Sequence, residues 1–142
     1  MLVLGDFAGR LMQVLAPDMR SPYLAGSTAL MTATMGMMVE EWDRMAHRLA
    51  EENAALRALF AQAAPLAPGG LSARLADLAK AADADLKVST LQSANNTLRA
   101  ALIDLQAWTE DQVGSAVIAL NVAIWVELSR STERRRFSAT PF

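Results

Sequence analysis

The stretch from residue 22 to residue 64 constrains the fold more than any other, because it reads as one unbroken helix. It opens at Ser21-Pro22. The serine hydroxyl can cap a first turn, and proline is tolerated there because its missing N–H would be unpaired anyway. It closes in the breaker run Pro65-Leu66-Ala67-Pro68-Gly69-Gly70, and inside it only Gly26 and Gly36 weaken a helix. Apolar residues recur at Leu24, Met31, Met35, Met38, Trp42, Met45, Leu49, Leu56, Phe60 and Ala63. Steps of mostly three and four place them along one face.

The rest of the chain supplies helices to cover that face. Residues 2 to 16 read as a short amphipathic helix with Leu4, Phe7, Leu11, Val14 and Leu15 on its buried side, linked onward by Pro17-Asp18-Met19-Arg20. A second long segment runs from 71 to 112 without glycine or proline. Its early apolar residues (Leu71, Leu75, Leu78, Ala82) and its later ones (Val88, Leu91, Leu98, Leu102, Leu105, Trp108) do not share a frame, so a kink or division is expected near Asp83-Ala84-Asp85. Gly114-Ser115 introduces a last helix over 115–136, and 138–142 is expected to be a loose tail. Two long helices joined by a short breaker fold back antiparallel. The pattern therefore predicts an all-α, up-and-down helical bundle in a single domain over 1–142. It is built on a long antiparallel hairpin, about 60 Å long at 1.5 Å per residue. Leu56 and Phe60 should meet Leu75 and Leu78 near its closed end. Reversal at 67 and 68 would set Glu40 opposite Asn95 and Glu41 near Arg99, with Arg130 approaching the same level.

Composition supports this class and narrows function. The chain is 53% hydrophobic, carries a formal charge of −2 and contains no cysteine. Disulfides, thiolate metal sites and cysteine nucleophiles are thereby excluded. So small a charge points to neither nucleic acid nor an anionic membrane as a partner, and no helix-turn-helix is evident. Ser21 to Val39 is uncharged and approaches spanning length, but Ser27, Thr28, Thr32 and Thr34 dilute it. The N-terminus lacks the basic region of a signal peptide. A soluble cytoplasmic protein is the expectation.

Two helical features bear on assembly. Ala25, Ala29, Thr32, Ala33 and Gly36 form a small-residue face that lets another helix come close. Methionines crowd the stretch 31–45; they suit either irregular core filling, the favoured reading, or an adaptable binding surface. Ala116 to Val126 is apolar on every side except Asn121, which predicts burial on several faces or against a second subunit in a homodimer. One internal echo stands out. Asn53-Ala54-Ala55-Leu56-Arg57-Ala58 resembles Asn95-Asn96-Thr97-Leu98-Arg99-Ala100, each asparagine lying on the stripe four residues after Leu49 or Leu91. An asparagine in a helix seam costs stability but fixes register.

Chemistry is only faintly signalled. Glu40, Asp43, His47 and Glu51 share one side of the long helix, an arrangement from which Glu40, Asp43 and His47 could hold a metal. His47 is the only histidine, so the paired Glu-x-x-His motifs of di-iron bundles are absent. Arg44 and Arg48 stand among these carboxylates, and a solvated stripe of helical ion pairs is the plainer reading. No phosphate loop or activated nucleophile appears, and no cofactor is indicated. Arg130, Arg134, Arg135 and Arg136 gather in the final turn, where basic residues complement the helix dipole. The leading expectation is a non-enzymatic helical oligomerisation or protein-interaction module. The first alternative is a bundle binding a small molecule in a cavity lined by Met35, Met38, Trp42, Leu98 and Trp125, with Glu40, Asn95 and Arg99 as its polar groups. The second is a metal-dependent enzyme using Glu40, Asp43 and His47.

Overall fold

The computed structural model describes residues 2–138, and among them every regular element is helical. Helix α1 spans Leu2–Arg10, α2 Pro22–Ala63, α3 Gly69–Lys80, α4 Val88–Glu110 and α5 Ser115–Arg134. Between α1 and α2 the chain loosens into a π-helical turn, Leu11–Leu15, and tightens into a 3₁₀ turn, Ala16–Asp18. Pro17, which lacks an N–H, lies in that last turn and prevents its continuation as α-helix. The chain divides into two compact units. Of the described residues, the first comprises 2–45 with 137 and 138, and the second comprises 46–136.

The second unit is the all-α, up-and-down bundle. It contains the latter part of α2 with α3, α4 and α5. The chain reverses after Ala63, where the Ser72 hydroxyl donates to the Ala64 carbonyl at 2.6 Å. Gly69 takes a positive φ of 35° at the start of α3, a conformation that favours glycine. The hairpin arm is much shorter than expected. Helix α3 has only 12 residues, about 18 Å at 1.5 Å each, and ends where the apolar frame breaks. Residues 81–87 then reverse the chain again, with Asp85 accepting from the Lys87 backbone N–H at 2.8 Å just ahead of α4.

That second reversal sets the direction of everything after it. Asn95 of α4 bonds Asn53, whereas Asp104, further along, pairs with Arg74 in α3 close to the first turn. Helix α4 therefore runs parallel to α2, and the two copies of the echoed Asn-x-x-Leu-Arg sequence lie side by side. Helix α5 returns antiparallel to α4, since Asn121 bonds Thr109 and Arg99 bonds Ser131. The core draws on all four helices: Leu56, Phe60 and Ala63; Leu75; Leu98, Leu102 and Leu105; Leu120 and Ile124. Leu78 packs against this cluster, so the expected meeting of Leu56 and Phe60 with Leu75 and Leu78 is present. The expected register of Glu40 against Asn95 is not. It assumed one long return helix, and Asn95 is instead paired with Asn53.

The first unit is built differently. Among its described residues only Ala8 and Thr28 are buried. The Thr28 hydroxyl donates to the Met19 sulfur at 3.2 Å. Leu4, Phe7, Val14 and Leu15, assigned from the sequence to a buried side, are all at least 41% exposed. The methionines expected to fill a core are also largely in solvent, Met31 and Met38 each at 59%. A short helix and two turns cover only part of one face of α2, so the remaining apolar surface of this unit has nothing to pack against.

Candidate functional site

The polar residues proposed for metal chemistry sit on α2 and are each otherwise engaged or solvated. Glu40 pairs with Arg44 one turn on. Its carboxylate also accepts from the Ser138 backbone N–H and from the Ser138 hydroxyl, both at 2.8 Å. These bonds to Ser138, then the Arg44 guanidinium, hold the Glu40 carboxyl below its usual range. Ser138, assigned to a loose tail, is thus held at its backbone and side chain; 139–142 lie outside the described residues. Asp43 is exposed, and the His47 side chain is 82% exposed with its imidazole 3.8 Å from Glu51. Among the described residues no three His, Asp or Glu side chains converge as a bound metal requires.

The buried polar chemistry lies in the second unit, one turn beyond that cluster. Glu52 is 1% exposed, three residues after Leu49 and four before Leu56, squarely on the apolar stripe. Arg99 reaches one of its oxygens at 2.6 Å and Arg135 the other at 2.7 Å. Burial pushes this carboxyl up, but the two guanidinium groups outweigh it and hold the group below its usual range. Beside it Arg134 bonds Glu127 at 2.7 Å, and that carboxylate, more than any other contact, raises the arginine further. The final arginine turn therefore clasps the end of α5 to α2, at a carboxylate that Arg99 of α4 also reaches. Sequence reasoning placed Arg99 with Glu41; the position of Glu52 on the stripe was the signal that a buried acid needed these cations.

Next to this network lies the asparagine pair. Asn53 and Asn95 are both fully buried, and the Asn95 side-chain amide donates to the Asn53 side-chain oxygen at 3.0 Å. The Asn53 amide donates in turn to Asp83 at 3.0 Å and to the Leu91 carbonyl at 3.2 Å. Arg57, bonded to Asp83 at 2.7 Å, is the main reason that the Asp83 carboxyl lies below its usual range. The Asn95 side-chain oxygen has no partner.

The residues proposed for a ligand cavity divide between the two units. In the second, Leu98 is core, Asn95 and Arg99 are engaged as above, and Trp125 is 56% exposed. In the first, Met38 and Trp42 line an open groove of about 530 Å³ with Val3, Leu4, Val39, Glu41 and Met45. Its lining is apolar apart from Glu41; Met35 and Glu40 are not part of it. Trp42 is 80% exposed there, too open to enclose a drug-sized molecule. No known protein family, curated protein or solved structure matches this chain. No described helix is long and apolar enough to cross a membrane.

The apolar stretch of α5 also divides. Leu120 and Ile124 face the unit's own core at 5% and 0% exposure, whereas Ile118, Val122 and Trp125 point outward. Burial of Ile124 is thus achieved within one chain, without a second subunit.

Proposed function

We propose that the protein is a non-enzymatic helical assembly module, whose second unit is a four-helix bundle and whose first unit associates with another helix through its exposed apolar face. One observation carries this reading. The stripe that is buried on α2 at Leu49, Leu56 and Phe60 continues in sequence to Trp42, Met38, Met31 and Leu24, which are 54–80% exposed. Contiguous apolar surface of this kind marks an interaction site in a folded protein. Methionine-rich helical faces suit it, because unbranched side chains adapt to a partner's surface. The polar groups of the bundle support the same reading, since Glu52, Asn53 and Asn95 are consumed in holding helices together.

The test is hydrodynamic. Light scattering of the full chain at high micromolar concentration should give a mass above the 15.3 kDa of one copy, or a complex with an added helical partner protein. Met31→Glu should weaken that association while leaving helix content unchanged. A chain that stays monomeric and takes up no protein partner refutes the proposal.

A further inference from the structure

Residues 81–87 turn the chain between α3 and α4 without a glycine or a proline. Ala81, Ala82, Ala84, Leu86 and Lys87 are among the best helix formers. Yet Ala81 and Lys87 hold extended backbone, with ψ of 150° and 135°, and Leu86 is left 76% exposed. Local preference favours one helix running from α3 straight into α4, and the fold opposes it. The opposition comes from one side chain. Asp83 accepts from Arg57 at 2.7 Å and from the Asn53 amide at 3.0 Å, which ties the turn to α2. The remaining side-chain bonds of this segment among the described residues are local, from the Lys87 backbone N–H and ammonium to Asp85. The tie also lies beside two buried atoms without a partner, Arg57 Nε and Asn95 Oδ1.

A straightened helix could not be buried within one chain. Twenty residues separate Leu78 from Leu98, about five and a half turns at 3.6 residues each. With Leu75 and Leu78 kept against α2, the straight helix would turn Leu91, Leu98 and Leu102 away from it. Another body must then bury them, and the one that fits is α2 with α3 of a second copy that has released its own α4. Asn95 would meet Asn53 of that copy, and Arg99 its Glu52, as they do within one chain. We infer that 81–87 is a hinge latched by Asp83, and that release of the latch fuses α3 with α4 and exchanges α4 and α5 between two copies. The core contacts are the same in both forms. The balance is therefore set by the bonds of Asp83 against the helix preference of the hinge, and by concentration. This exchange involves the second unit and does not depend on the assembly role proposed for the first.

The test uses full-length chains carrying Met31→Glu, so that association through the first unit does not contribute. Asp83→Ala should give a dimer by light scattering at high micromolar concentration, with helix content by circular dichroism raised by the length of the hinge. Arg74 pairs with Asp104 across α3 and α4, and the chain has no cysteine of its own. In the Asp83→Ala background, Arg74→Cys chains refolded from urea together with Asp104→Cys chains should therefore link to each other through a short bis-maleimide. Val88→Pro should abolish both the dimer and the link. Val88 is the first residue of α4 and follows an extended Lys87, a place that accepts proline, whereas proline there breaks any helix continuing from α3. A folded Asp83→Ala that stays monomeric would overturn the inference. So would a dimer without the cross-chain link, or one that Val88→Pro leaves unchanged. Should Asp83→Ala fail to fold, the same two cysteine chains with Asp83 intact are refolded together at high micromolar concentration. They should then yield a cross-chain link that Val88→Pro removes, and its absence would overturn the inference equally. The assembly role of the first unit is untouched by these outcomes, since Met31→Glu tests it separately.

Discussion

Asn53 and Asn95 are alike in the sequence and unequal in the fold, and that inequality can be measured. Asn53→Leu removes three hydrogen bonds: to Asp83, to the Leu91 carbonyl and from Asn95. Asp83 keeps Arg57, but the Asn95 amide is left buried without an acceptor. A stranded buried polar group costs about 1–3 kcal/mol, so with the lost bonds a destabilisation of about 2–4 kcal/mol is expected. Asn95→Leu removes one bond and strands the Asn53 oxygen, but it also deletes an oxygen that has no partner in the native fold. The two effects oppose each other, and the net change should stay below about 1.5 kcal/mol. The double variant leaves neither amide stranded and should be more stable than Asn53→Leu alone. The coupling between the sites should then be about 1 kcal/mol or more. Urea unfolding followed by circular dichroism at constant m-value gives all four corners of the cycle. Equal losses for the two single variants, or a double variant whose loss is their sum, would refute this account of the pair.

Other substitutions separate the bundle's core from its surface. Ile124→Glu, at a site with 0% exposure, should unfold the bundle, because an unpaired buried charge costs several kcal/mol. Val122→Glu, two residues away and 58% exposed, should change stability by no more than about 0.5 kcal/mol; thermal melts distinguish them. Leu75→Ala should cost about 2–5 kcal/mol in denaturant titrations, since the side chain is fully enclosed in the core. The acid limb of stability should follow Glu52, whose folded carboxyl lies below its unfolded value. Its contribution is present above the unfolded value, about pH 4.3, and is lost as pH falls through the folded one. Melting temperature should therefore fall below about pH 4, and less steeply in Glu52→Gln.

Much of the fold was written locally. The long uninterrupted stripe of α2, the breaker run at 65–70, the frame break near Asp83 and the Gly114-Ser115 junction set helix number and approximate limits, because propensity and periodicity act over a few turns of chain. The last helix and the core residues Leu56, Phe60, Leu75 and Ile124 followed from the same patterns. Which acid meets which base did not. One extra reversal at 81–87 turned α4 parallel to α2, and this replaced the pairing of Glu40 and Glu41 with Asn95 and Arg99 by that of Glu52 and Asn53 with the same residues. The sequence echo held the necessary clue, but an echo has no direction until the intervening chain has been folded. Nor could periodicity distinguish the apolar stripe of the first unit from that of the second. Leu24, Met31 and Met38 obey the same spacing as Leu49, Leu56 and Phe60. Whether a stripe is covered depends on how many other helices reach it, and that number is a property of the tertiary structure alone.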